Sequence, residues 1–573
     1  MTGQHRLAVL AGDEPSAPPR RAPGRRLVGW ALGEEAGAVP WLLVGAALLY
    51  LGFLLARFGH ILSAVNWSSD AAFWPVLVEH LPPRGAGIAN LGNTPHYVTV
   101  LFLLATRALP GHHAIWAWSP LVTSLGGVGL AAWASRRAFG RRGGLLTLCV
   151  GACGSFPVIQ TIVPQGVRSW TWVADAAMGA VLAGLAGLLG GDRPGRPALV
   201  RAGAAALAAV VAAGLTIASD PLFVVAGLGP FALAAGVTWV RHPGRASRRL
   251  ALAAAGIVAG GIAMAPVVSG AMASRGFRWT PPPNAFAFAS PDDLARHLRW
   301  LGEALLGFGN GLFLSRPIGP AAVAMLGTSI LGLAALGATA TRAGRTLTGR
   351  GGSPVQTAHV AYWSLSALFI GGVYVVSTFP SIGGLASSRY LVPVFYAVAA
   401  LLPLCAGTSA RNRMVVTAAA AVFCLVAITG QNLLVAFDRG PVPLPRDGRR
   451  VIAFLEHEGL TRGYGGYWYS HSITWHSNQR TTVYPVSECT PPLSSSGTLC
   501  PVPLATATSW YHPEPGVKTF VVTGGSGPPA AALRATPPEA LGPPSRTATL
   551  GVYSVFVYDY DVASRFGTTS PPS

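Results

Sequence analysis

TPHYVTVLFLLATRALP, residues 94–110, is apolar enough to be taken for a membrane crossing, yet it is short. A crossing helix needs about 20 apolar residues to match about 30 Å of hydrocarbon. This run opens at Thr94-Pro95 and closes at Leu109-Pro110-Gly111, start and stop signals that suit a bounded helix lying at a membrane surface. The choice decides the fold, because every later segment inherits its side of the membrane from it.

Working outward, apolar runs of crossing length fall near 39–58, 114–133, 144–163, 172–190, 200–218, 221–240, 250–270, 318–340, 358–379, 390–407 and 414–436. Five arginine clusters lie between them: Arg136, Arg137, Arg141 and Arg142; Arg193, Arg196 and Arg201; Arg241, Arg245, Arg248 and Arg249; Arg342, Arg345 and Arg350; Arg411 and Arg413. With 94–110 kept out of the membrane, all five share one side, and the positive-inside bias makes that side cytoplasmic. With 94–110 counted as a crossing, all five move outside. The sequence therefore reads as a polytopic α-helical membrane protein with about eleven spans, N-terminus cytoplasmic and C-terminus outside, in the plasma membrane.

Composition agrees. Of 573 residues, 51% are hydrophobic and 11% charged, against about a quarter charged in a soluble chain; the mean hydropathy is +0.46. The net charge of +20 would suggest nucleic acid in a soluble protein, but here the arginines sit in short loops and carry orientation. The reading excludes a nucleic-acid partner. Residues 1–38, rich in Pro and Arg, lack an apolar leader next to Met1 and read as a disordered basic cytoplasmic tail.

Residues 39–438 form the membrane domain, with outer loops at 59–113 and 271–317. An amphipathic juxtamembrane helix is expected from Asp70, and in the second loop Ser290 reads as the N-cap of a helix with Asp292 and Asp293 in its first turn. From Arg439 the apolar runs stop. Residues 439–573 read as a small α/β extracytoplasmic domain, with a helix at Gly448–Gly459 and strands at Lys518–Thr523 and Thr547–Tyr558. Cys489 and Cys500, with ten residues between them, can close a disulfide there. Cys149, Cys153, Cys405 and Cys424 fall inside spans and read as packing residues. The common zinc and P-loop motifs are absent.

Ionisable residues near membrane depth are costly and point to function. Asp70 lies in the first outer loop, Asp175 in RSWTWVADAAMG at the outer end of the fourth span, and Asp220 in the outer turn IASDPLF. A carboxylate there can accept a proton from a hydroxyl, or hold a divalent cation (Mg or Mn) against a phosphate. Each also has a plainer reading: Asp220 before Pro221 as a turn residue, Asp175 as a cap or a partner of Arg168, Asp70 as a helix cap. Arg168 and Arg389, the latter in SSRYLVPVF, suit phosphate recognition and equally suit lipid headgroups. The aromatics Tyr464, Tyr467, Trp468, Tyr469 and Trp475 can stack on sugars or form a core strand; we favour the core.

This layout resembles the GT-C superfamily of membrane glycosyltransferases, which includes protein O-mannosyltransferases and bacterial aminoarabinose transferases. The resemblance lies in Asp70 after the first span, the Pro-initiated helix in NTPHYVTVLFLLATRALPGHHAIWAW, the arginine-rich turn ASRRAFGRRGG, Asp175, the Arg-Tyr-Leu-Pro-like SSRYLVPVF, the long outer loop after the seventh span, and the outer C-terminal passage GLTRGYGGYWYSHSITWHSNQRTTVYPV. It implies a polyprenyl-phosphate sugar donor and a glycan, lipid or protein acceptor in the cell envelope. Asp70 would be the general base of an inverting transfer, Arg389 and Arg168 would bind the departing phosphate, and Asp175 and Asp220 would position hydroxyls. Where the family often has paired acids, this sequence has Ser69-Asp70-Ala71, with Glu79 nine residues on. The alternatives from other classes are a non-catalytic envelope scaffold and a transporter; a transporter would place its acids near the bilayer midplane.

Overall fold

The computed structural model describes residues 38–65, 69–81, 89–91, 94–154, 168–191, 194–279, 287–309, 318–349, 351–378, 380–381, 384–407, 409–439, 443–489, 498–502, 506–524 and 539–567. Ten helices among them are long and apolar enough to cross a membrane. Residues that a soluble protein would hide are exposed along them: Leu207 is 67% exposed and Leu368 68%, as lipid contact requires. The stretch 94–110 contributes only a ten-residue helix, Tyr97–Thr106, too short to span.

Ten helices and the expected eleven spans are reconciled at Gly140. The element His112–Ala152 is continuous except at Gly140, whose φ of 80° and ψ of −176° are not helical. Ser135 donates to Ala400 O and Thr147 to the adjacent Ala399 O. Along a straight helix those two residues would be about 18 Å apart, so the chain doubles back. The Cβ position of Gly151 also meets Val128 Cγ1 at 2.9 Å. The element is a hairpin, and Arg136, Arg137, Arg141 and Arg142 are its tip.

The other arginine clusters gather at that same end of the bundle. Arg249 donates to Gly191 O, Arg342 to Leu404 O, and His242 meets Thr357 Oγ1 at 2.9 Å. The opposite end carries Thr94, Arg168, Asp220 and the C-terminal unit. Among the described residues, the arginine clusters thus share one end of the bundle.

At that opposite end a three-stranded sheet stitches distant segments together. Strand β1 (Ala89–Asn90) pairs in parallel with β2 (Phe277–Arg278) and antiparallel with β6 (Thr506–Ala507). The loops read as outer from the sequence are therefore hydrogen-bonded to the C-terminal unit or to each other. In the second loop Ser290 caps Pro291–Phe308 through a capping box with Asp293, as its sequence implies.

The C-terminal unit is a six-stranded mixed sheet ordered β5-β4-β3-β7-β9-β8, with β3 Arg462–Gly465, β4 Thr482–Glu488, β5 Leu499–Pro501, β7 Thr519–Gly524, β8 Arg546–Leu550 and β9 Tyr553–Tyr558. β3 is parallel to β4 and β7, and the remaining pairs are antiparallel. Residues 547–558 are therefore a hairpin rather than one strand. It turns at Gly551, whose φ of 69° favours glycine; a Cβ there would also collide with the Asp447 carboxylate. The expected helix at 448–459 runs Pro443–His457. Cys489 and Cys500 are joined in a disulfide. Of the aromatic cluster, Tyr464 lies on β3, while Tyr467, Trp468, Tyr469 and Trp475 lie on the helix Tyr467–His476. Tyr464 and Tyr469 are core residues, so core is right for those two, although a helix rather than a strand supplies most of the group.

Candidate functional site

Arg168 occupies the N-cap position of the helix Ser169–Leu188. Asp220 closes the helix Arg196–Ser219, its N–H still bonded to Thr216 O at 2.7 Å. These two ends meet. Arg168 Nη1 donates to Asp220 Oδ2 at 2.6 Å, and Thr171 Oγ1 donates to the same oxygen at 2.9 Å. Asp220 Oδ1 accepts from Leu222 N–H at 3.2 Å, forming the turn before the next helix. Asp220 therefore fills the plain turn role and the ion-pair role at once.

A second arginine joins through an aromatic ring. The guanidinium carbon of Arg168 lies 4.9 Å from the Tyr390 ring centroid and that of Arg389 lies 5.1 Å from it. Arg389 Nη2 also contacts Tyr390 Oη at 3.2 Å. Such contacts contribute about 0.5–1 kcal/mol when exposed and more when desolvated. They hold two permanent positive charges against one ring, at the end of the bundle opposite the arginine clusters.

The first outer loop is tied to this group. Arg168 Nη2 reaches Thr94 Oγ1 at 3.3 Å; His96 N–H donates to Ser219 O and Val98 N–H to Ser219 Oγ, both at 2.8 Å. His96 adopts a left-handed conformation (φ 45°) and packs its buried ring edge-on against Trp74, 5.4 Å between centroids. Burial pushes the His96 imidazole down to about 3, against the opposing pull of Asp220 and with the help of Arg168. It is a neutral ring at neutral pH. Trp74 belongs to the helix Ser69–Glu79, which Asp70 opens at its second position; the Asp70 side chain lies outside the described residues.

Asp175 lies elsewhere. It points between helices, where Tyr362 donates to its Oδ1 and to its backbone O at 2.6 Å, and Ser366 donates to Oδ2 at 3.4 Å. The structure thus brings Arg168, Asp220 and Arg389 together and leaves Asp175 on a separate set of partners. Thr94, Thr171, His96 and Tyr390 also belong to the group. Tyr390 stands beside Arg389 in the SSRYL segment, and the Pro95 that marks the helix start also marks His96; Thr171 carries no signal in sequence.

Both oxygens of Asp220 and both of Asp175 accept hydrogen bonds from protein groups. Among the described residues, one cluster has donors close enough for a shared metal ion: Glu79, His112 and His113.

No family model and no curated protein matches the chain. Solved structures to which it is similar include ArnT from Cupriavidus metallidurans in the apo state, 13% identical, covering 92% of this chain and 100% of that one, with a TM-score of 0.47. The Archaeoglobus fulgidus oligosaccharyltransferase is similar in the apo form (13% identity, 85% of this chain and 69% of that one, TM-score 0.42) and in a complex with Zn and sulfate (14%, 77% and 62%, TM-score 0.39). The chain spans about 62% of the archaeal enzyme's length in that last match. By its own helices and sheet, the chain is a polytopic helical membrane protein with a small C-terminal α/β unit.

Proposed function

We propose that this protein is a GT-C-type glycosyltransferase that moves a sugar from a polyprenyl-phosphate donor to a cell-envelope acceptor at the outer face of the plasma membrane. The observation that carries the reading is the pair of arginines on Tyr390, beside the first outer loop. Two guanidiniums that never lose their charge suit a phosphate that gains charge as it leaves. Asp70, at the head of the helix whose Trp74 packs on His96, takes the acceptor's hydroxyl proton. The acceptor oxygen bonds to the anomeric carbon from the opposite side, and the carbon–oxygen bond to the phosphate breaks with its electron pair. Configuration inverts. Arg168 and Arg389 meet the released polyprenyl phosphate, Asp220 holds Arg168 in position, and Asp175 braces the helix that carries Arg168.

A panel of radiolabelled polyprenyl-phosphate sugars, mannose first, offered to the purified full chain tests this through labelled acceptor or slow donor hydrolysis. Asp70→Asn is expected to abolish transfer while membrane abundance stays unchanged. Near-wild-type transfer by that variant removes Asp70 from the mechanism, and silence across the whole panel removes the donor class.

A further inference from the structure

The stretch leading into the helix Pro291–Phe308 is pinned to the end of the helix Pro354–Val376. Ala289 N–H donates to Val376 O at 2.8 Å and Thr378 N–H to Ala287 O at 3.0 Å, around an antiparallel bridge between Phe288 and Ser377. The capping box of Ser290 and Asp293 then starts the helix, and one turn past Asp293 comes His297, fully buried. Residues four apart share a helix face, so Asp293 and His297 both reach Ser381, just beyond the end of Pro354–Val376. Ser381 Oγ lies 2.8 Å from His297 Nε2 and 3.4 Å from Asp293 Oδ1. Thr357, which meets His242, is near the other end of that helix, so this group sits away from the arginine clusters.

The protons of this group can be assigned. His297 Nδ1 sits 3.0 Å from Val375 O, one of the last carbonyls of its helix, which have no partner within the helix. A carbonyl can only accept, so Nδ1 carries a proton. In the neutral ring Nε2 then holds a lone pair, and the group facing it is the Ser381 hydroxyl. If that hydroxyl turned to Asp293 instead, the serine oxygen and Nε2 would face each other at 2.8 Å with no proton between them. The O–H therefore points at the imidazole. A hydroxyl bonded to a base whose far nitrogen is fixed by an acceptor is the arrangement of an activated nucleophile.

The surroundings point to a substrate class. The imidazole is shielded from water while Ser381 is exposed, so the base is protected and the nucleophile is open. Arg296 adds a positive charge beside them: its Nη2 donates to Asp293 Oδ1, the same oxygen that faces Ser381, and its guanidinium carbon lies 5.4 Å from the Trp300 ring centroid. A cation there suits the oxyanion that forms when an oxygen nucleophile adds to a carbonyl. Large apolar side chains are exposed on either side, Phe288 opposite Ser377, Leu298 next to His297, and Val376 at the helix end. They suit an acyl chain.

We propose that Ser381 and His297 form a nucleophile–base pair that cleaves carboxylic esters carrying an apolar acyl group at the membrane surface, a second activity separate from sugar transfer. Ser381 Oγ bonds to the acyl carbon as its proton passes to His297 Nε2. The ester's carbon–oxygen bond then breaks, and the departing alcohol takes the electron pair together with the proton from Nε2. Water adds to the acyl-serine with His297 again as base, releasing the carboxylic acid and restoring the serine hydroxyl. One ester and one water give one acid and one alcohol. The proposal requires nothing of the transfer reaction above.

The test treats the purified full chain in detergent with a fluorophosphonate probe, which forms a phosphorus–oxygen bond to an activated serine and loses fluoride. One label per chain is expected, located at Ser381 by peptide mass spectrometry, together with turnover of p-nitrophenyl octanoate. Ser381→Ala should abolish both, and His297→Gln should slow both by at least about a hundredfold, the usual contribution of a general base. Because His297 also ties two helices together, Ser381→Cys supplies a readout that leaves the imidazole in place. Its thiol should react with iodoacetamide at pH 7 at least about tenfold faster than that of Ser564→Cys, an exposed position on the C-terminal unit; the native free cysteines are buried. Circular dichroism and monodispersity confirm that each variant is folded. No label at Ser381 in the folded wild type, label and turnover that survive Ser381→Ala, or equal iodoacetamide rates at the two introduced thiols would overturn the pair.

Discussion

Asp220 and Asp175 are equally hidden, 1% and 0% exposed, and both belong to helices that reach the same end of the bundle. Their partners differ in kind. Asp220 has a permanent counter-charge in Arg168 and a role in a turn; Asp175 has the neutral hydroxyls of Tyr362 and Ser366. Burial therefore does not distinguish the two carboxylates, whereas their partners do. The carboxylate that holds an arginine belongs to a charged group at the end of the bundle that carries the C-terminal unit, and the one held by hydroxyls joins two helices.

The sharpest way to break that comparison is Asp220→Asn. Removing one partner of a buried pair leaves the other charge uncompensated, typically at a cost of about 3–5 kcal/mol. The variant should show a large drop in thermal stability in detergent and, on the proposed reading, a loss of transfer beyond what lower protein abundance explains. Arg168→Ala breaks the same pair and leaves the buried Asp220 carboxylate without its counter-charge, although Thr171 and Leu222 still bond it, so its loss of stability should be comparable and its loss of transfer at least as severe. If Asp220→Asn is as stable and active as wild type, the ion pair is incidental and the two aspartates are alike.

How much of this was legible in the sequence depends on the range over which each signal acts. The bundle's parity was legible because arginine clusters are local and their side of the membrane is a counting rule; the hairpin at Gly140 and the short helix Tyr97–Thr106 both follow from it. The Arg168–Asp220 pair was not legible, because 52 residues separate the partners. Sequence proximity pointed Arg168 to Asp175 instead. Those two are seven residues apart on one helix, about 10 Å along its axis, too far for direct contact. Likewise, β-branched and aromatic residues made 547–558 look like one strand, and only the fold shows how closely the backbone at Gly551 approaches Asp447.

A middle-sized effect distinguishes the charged site by pH. The His96 imidazole falls from 6.5 to about 3 on folding, so between those values the unfolded chain binds more protons than the native one. Stability is full above about pH 6.5 and is lost as pH falls toward 3, by about 2–3 kcal/mol at pH 4.5. His96→Gln should flatten thermal stability between pH 6.5 and 4.5 relative to wild type. An unchanged slope would mean that the acid sensitivity resides elsewhere.

The smallest effect belongs to the hydroxyl-held carboxylate. Tyr362→Phe removes the donor to Asp175 while keeping the ring that fills the space beside Gly179, where a Cβ would meet Tyr362 Cε1 at 2.8 Å. Interhelical hydrogen bonds inside a bilayer average about 0.6 kcal/mol and reach about 1.7 at most, because the separated helices find other partners there. The melting temperature should fall slightly and transfer should stay within a few-fold of wild type. A collapse of transfer with stability intact would place Asp175 in the reaction beside Asp220. The two buried aspartates would then differ in their partners without differing in function, and the partner would no longer tell them apart.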